Sequence, residues 1–139
     1  MTRRNIDELE ALFADLWHGP RFVSHHGFRP NVDSYHTDDP HELTVVVELP
    51  GVDPDSIAVV VGERTLIVAG ERPRPVGRGR VYQQMEIEYG PFQRQVRLSE
   101  DVDPKGARAE YECGILRIAL PVSVNPAPKG RISITVQLT

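Results

Sequence analysis

Apolar and polar positions change period along this chain. Between residues 5 and 18, Ile6, Leu9, Leu12, Phe13, Leu16 and Trp17 recur at helical spacing and form one stripe. Asn5 supplies an N-cap, Glu8 completes a capping-box-like pattern, and Gly19-Pro20 stops the element. A helix this short is marginal alone in water, so its stripe needs a surface to cover. That surface is its own domain, a sister chain or another protein. Residues 20–30, with Pro20, Pro30 and paired His25-His26, read as a connector.

From Val32 to Pro121 the period is that of strands. Leu43, Val45 and Val47 alternate with Thr44, Val46 and Glu48 before Pro50-Gly51 turns the chain. Ile57, Val59 and Val61 alternate up to Gly62, and Leu66 and Val68 up to Gly70. Residues 81–88 read as a strand with aromatic and aliphatic members, and Phe92 to Leu98 as another. Ala107, Ala109 and Tyr111 lead to Gly114, followed by the interleaved run Ile115 to Leu120. Short strands with frequent turn signals predict an all-β antiparallel sandwich, and the lack of helix-length segments between them argues against βαβ units. Arg72 to Arg80 carries prolines that would remove ladder donors, so it reads as a long loop. After Pro121 a proline-rich stretch leads to Ile132-Ser133-Ile134-Thr135-Val136. In a strand Ile132, Ile134 and Val136 share one face. Such a segment either docks along a sheet edge or closes its own sandwich as a last strand.

Composition narrows the chemistry. The chain has 139 residues, with 16 basic and 20 acidic side chains and a net charge of −4, which gives no global pull toward nucleic acid or anionic membrane. No apolar run approaches the roughly 20 residues that span a bilayer. Met1-Thr2-Arg3-Arg4 opens like a leader, but Asp7, Glu8 and Glu10 interrupt the apolar region that should follow, so the expected location is cytoplasmic. Cys113 is the one cysteine, which excludes a disulfide framework within the chain. His18, His25, His26, His36 and His41 show no metal-ligand spacing, and His25-His26 with Asp33 is a poor candidate because a connector pre-organises ligands badly. Gly77-Arg78-Gly79 adjoins no helix start, and no nucleophile elbow is present, so neither a cofactor nor an enzymatic activity is expected. Arg72, Arg74, Arg78 and Arg80 make a basic loop with no aromatic residue inside it for base stacking. Its expected role is to keep a strand edge from promiscuous pairing or to meet acidic groups on a partner chain.

Several segments, in order, resemble one family. Pro30-Asn31-Val32-Asp33 looks like a domain start. Glu48-Leu49-Pro50-Gly51-Val52 matches an E-L-P-G-V turn, and Leu66 to Arg72 an L-x-I-x-G-E-R strand end. Tyr89 to Arg94 is similar to Y-G-x-F-x-R, Ala109 to Leu116 to A-x-x-x-n-G-v-L, and Ile132-Ser133-Ile134 to a C-terminal I-x-I. Together they resemble the bacterial type of small heat-shock protein, with an α-crystallin domain in the middle, over roughly residues 28–136. Cys113 stands where the family usually has Asn or Asp, and Ser99 where a proline is frequent.

The resemblance implies an immunoglobulin-like sandwich of about seven to nine strands. It implies an N-terminal arm over 1–29, a domain over 30–121 with a dimerisation loop over about 72–91, and an extension over 122–139. In the loop, Val81, Tyr82, Met85 and Ile87 would belong to a strand that crosses to a neighbour, giving a two-fold dimer. Ile132 and Ile134 would dock between the two sheets of another protomer, in a groove of Ile57, Val59 and Val61 facing Ala107 and Ala109. The implied function is that of an ATP-independent holdase for unfolding proteins, with Ile6, Leu9, Leu12, Phe13, Leu16 and Trp17 as first candidates for client contact. The alternative is a CS-domain-like co-chaperone or adaptor, which shares the sandwich but usually lacks the exchanged strand and the I-x-I tail.

Overall fold

The computed structural model describes residues 28–124 and 130–139. The helix expected over 5–18 lies outside the described residues. The described chain forms nine strands: β1 (Val32–Asp38), β2 (His41–Glu48), β3 (Ala58–Gly62), β4 (Thr65–Arg72), β5 (Gly90–Arg97), β6 (Arg108–Glu112), β7 (Ile115–Pro121), β8 (Ile132–Ile134) and β9 (Val136–Leu138). One sheet runs β1-β2-β7-β6-β9 and the other β5-β4-β3-β8. The expected antiparallel sandwich needs one correction, because β9 runs parallel to β6. The tail, already antiparallel on β3, reaches the second sheet without reversing.

The core lies between the sheets. Val45, Val47, Leu116, Ile118 and Leu120 face Val59, Val61, Leu66, Val68 and Phe92, all buried in one cluster. Burying each large side chain stabilises the fold by about 1.5–3 kcal/mol. Across β4 and β5, Gly70 pairs with Phe92, and a Cβ on Gly70 would stand 2.8 Å from the Phe92 ring. The glycine therefore makes room for the aromatic ring that fills this end of the core.

Two hairpins have two-residue turns that demand positive φ at both positions. Glu63 and Arg64 join β3 to β4 with φ of 49° and 58°. Cys113 and Gly114 join β6 to β7 with φ of 52° and 79°. Cys113 thus occupies a left-handed position that Asn or Asp tolerates better. Arg64 is held in place by its ion pair with Asp101, 3.0 Å, and by Leu98 N–H donating to its carbonyl.

Two regions depart from the sequence expectation. β1 was not signalled as a strand, since after Val32 its residues are mostly polar and exposed; its pairing with β2 holds it. Residues 81–88, expected as a strand, form none and pair with no strand among the described residues. A strand needs a ladder partner, and the described chain offers this segment none.

Candidate functional site: an apolar groove and its tail

One local device builds both walls of the groove between the sheets. Val52-Asp53-Pro54 and Val102-Asp103-Pro104 each start a 3-10 turn, over Pro54–Ser56 and Pro104–Gly106. In each, the aspartate caps the turn: Asp53 Oδ1 accepts from Asp55 N–H at 3.1 Å and Asp103 Oδ1 from Lys105 N–H at 3.0 Å. Both valines are buried, at 5% and 6% exposure. The turns deliver the chain into β3 and β6, the edges that face each other across the groove. Ile57 and Ala107, expected on strands, are the residues that close these two turns. The repeated Val-Asp-Pro was present in the sequence and is the signal that would have located both walls.

The tail fills the groove on its own domain. Ile134 stands opposite Val59 and Ile132 opposite Val61 along β3. Val136 stands opposite Ala109 along β6, and Thr139 N–H donates to the Tyr111 carbonyl at 3.3 Å. Ile134 joins the core cluster at 8% exposure, whereas Ile132 keeps 38%. The two isoleucines are therefore unequal anchors. Small Ala107 and Ala109 help line a cleft of about 300 Å³ with Pro104, Ile134 and Thr135. Farther along β6, Tyr111 donates its hydroxyl to the Leu49 carbonyl at 2.6 Å, and burial pushes the Tyr111 pKa up.

The long loop presents a second apolar surface. Val76 is 95% exposed and Val81 87%, and Tyr82, Met85 and Ile87 are also largely in solvent. Arg72 fixes the loop's base. Its guanidinium donates to the Glu88 carbonyl at 2.8 Å and to the Pro50 carbonyl at 3.2 Å, and lies 3.5 Å from the centroid of Phe28. Phe28 in turn meets Phe92 edge-on at 5.7 Å. Arg74 stacks on Tyr89, while hydrogen bonding from Arg80 lowers the pKa of exposed Tyr82. Cys113 is a free, exposed thiol. Among the described residues no group of three or more His, Cys, Asp or Glu side chains is placed to hold a metal ion, and no helix is long and apolar enough to cross a membrane.

Comparison with known proteins assigns this arrangement. The 19.0 kDa class II heat shock protein of Oryza sativa subsp. japonica is 37% identical over 94 residues, which cover 63% of this chain and 54% of the rice protein. The chain thus spans about half the length of that relative. The 18 kDa antigen 2 of Mycobacterium avium is 34% identical over 69% of this chain and 68% of its own. The solved structure of heat shock protein 16.0 from Schizosaccharomyces pombe shares the fold with a TM-score of 0.64, at 23% identity, over 78% of this chain and 99% of that one. The model of the Hsp20/alpha crystallin family matches residues 35–137, a span running from β1 through the tail strands, and the chain belongs to that family.

Proposed function

We propose that the chain is an ATP-independent holdase that binds unfolding proteins and prevents their aggregation. The observation that carries this reading is the apolar groove covered by a short tail segment laddered onto β3 and β6. Unfolding clients expose apolar patches, and a protein that binds them needs apolar surface it can hide from its own kind. A tail held by two three-residue ladders is a cover of that sort. Release of the tail uncovers Val59, Val61 and Ala109.

Self-assembly belongs to the same reading. β1 is an open edge of the larger sheet, and residues 81–88 carry exposed apolar side chains with no ladder partner among the described residues. Val81, Tyr82, Met85 and Ile87 of one copy laid on β1 of another, and reciprocally, give a two-fold dimer. The tail, docked here on its own domain, links dimers when Ile132 and Ile134 seat in a neighbour's groove instead. Client contact falls to the arm stripe of Ile6, Leu9, Leu12, Phe13, Leu16 and Trp17. A cytoplasmic location suits a chain whose one cysteine is a free exposed thiol.

The test is light scattering of a heat-labile client with and without this protein and without nucleotide, alongside sizing chromatography with multi-angle scattering. Suppression of aggregation at near-stoichiometric ratios is the expected result. Unchanged scattering, even after the protein is warmed to free its subunits, would overturn the holdase reading and point to a dedicated adaptor.

A further inference from the structure

The ladder between β4 and β5 ends at Arg72 and Gly90. Pro73 brings no N–H to extend it, and Gly90, with φ of 114°, bends the chain out of the line of β5. The backbone ladder alone therefore gives residues 73–89 no direction. The end of β4 itself is firmly held where β3 has already stopped. Glu71 N–H donates to Ser56 Oγ at 2.9 Å, and Asp53 N–H donates to the Glu71 carbonyl at 3.1 Å.

The Arg72 side chain continues where the backbone stops. Its Nε donates to the Glu88 carbonyl at 2.8 Å, beyond the last ladder pair, and its Nη1 to the Pro50 carbonyl at 3.2 Å. A guanidinium carries its donors in one rigid plane, so it can serve both carbonyls at once. The stem runs past Gly51, where a Cβ would stand 3.4 Å from Arg72 Cδ. The flat face of the guanidinium rests on Phe28, 3.5 Å from the ring centroid. That ring is itself seated. It meets buried Phe92 edge-on, and two residues further on Arg94 donates to the carbonyl of buried Pro30 at 2.6 Å. The entry to the domain, and not the loop, thus supplies the platform for Arg72. Among the described residues no carboxylate pairs with Arg72, so its contacts fix position instead of balancing charge.

We infer that Arg72, seated on Phe28, aims residues 81–88 toward a second copy of the chain, which makes Phe28 a positioning residue for self-association although it lies in neither the loop nor β1. The inference rests on the strand-exchange reading of the loop. A segment already held in its outgoing direction loses less freedom when it pairs, whereas one released at its exit must be ordered at that moment. The exposed Val81, Met85 and Ile87 are the side chains so presented.

The dimer dissociation constant of the full chain, from sedimentation equilibrium, tests this. Arg72→Met should weaken association about tenfold. Phe28→Ala should weaken it about fivefold. Combining the two should add little to Arg72→Met alone, because the ring acts through the guanidinium. Arg78→Met removes the same charge at the loop's tip and should stay within about twofold of the parent. An unchanged constant in a folded Arg72→Met chain overturns the inference. So do fully additive losses, or an equal loss in Arg78→Met, which would make charge the cause. A spin label on Ile87→Cys in a Cys113→Ser background reads the loop's exit within one chain, at concentrations where that chain is monomeric. The label should gain mobility with Arg72→Met and with Phe28→Ala, and not with Arg78→Met. Equal mobility in all of them overturns the inference. Should Arg72→Met fail to fold, Phe28→Ala carries both readouts. If the label responds while the parent stays monomeric at every concentration, the hold on the loop stands and the strand-exchange reading fails.

Discussion

Residues 132–138 and residues 81–87 carry similar mixtures of apolar and polar side chains after a proline-rich stretch. The first segment is laddered onto β3 and β6, while the second is laddered onto no strand among the described residues. Both can be strands; what separates them is the edge within reach. The tail arrives beside two open edges, prepared by the twin Val-Asp-Pro turns. The loop is tied at its base by Arg72, and its apolar side chains stay in solvent. Alternation therefore states that a segment can pair, and the surroundings decide with what.

The comparison is broken most strongly at Ile134. Ile134→Ala should weaken tail docking by about 2–4 kcal/mol, read as lost hydrogen-exchange protection along β8 and β9. Ile132→Ala, acting on the more exposed anchor, should cost clearly less; equal losses would contradict the unequal seating. Gly62→Ala attacks the same contact through the backbone. Its Cβ would stand 2.5 Å from the Gly130 carbonyl oxygen, so one structure or the other must shift. About 1–3 kcal/mol of tail docking should be lost, measured the same way.

Tyr111→Phe removes the hydroxyl that meets the Leu49 carbonyl and should cost about 1 kcal/mol in denaturant unfolding. The pH dependence has a definite sign. Burial raises the Tyr111 pKa, so the fold holds this proton more tightly than the unfolded chain does. That contribution is complete below about pH 10, the ordinary tyrosine value, and fades as pH climbs through the raised one. The phenylalanine variant should lose less stability at high pH than the parent.

Cys113→Asn relieves a left-handed cysteine and should stabilise the domain by about 0.5–1 kcal/mol, seen as a higher melting temperature. The smallest effect on the fold belongs to the loop. Ile87→Lys should leave monomer unfolding within about 0.5 kcal/mol of the parent, because the side chain is exposed. It should nevertheless shift the mass measured by multi-angle scattering toward the monomer. A large loss of monomer stability would show that the loop packs on its own domain.

The sequence made the central strands legible because their apolar residues alternate up to a glycine or a turn. β1 escaped because it contributes little to the core and is held through its partner. β9 escaped because its neighbour is distant in sequence and parallel. Of the candidate groove, Val59, Val61 and Ala109 were readable from alternation, while Ile57 and Ala107 were placed on strands instead of on the turns that aim them.

Thr135 alone separates the tail's two ladders, one on each sheet. The tail is thus a latch with two catches on a single bar. Lifting it breaks both ladders together, so their enthalpies add within one transition. A larger enthalpy makes a transition steeper in temperature. A chain fastened this way should stay shut through ordinary fluctuations and let go over a narrower thermal interval than either catch would alone.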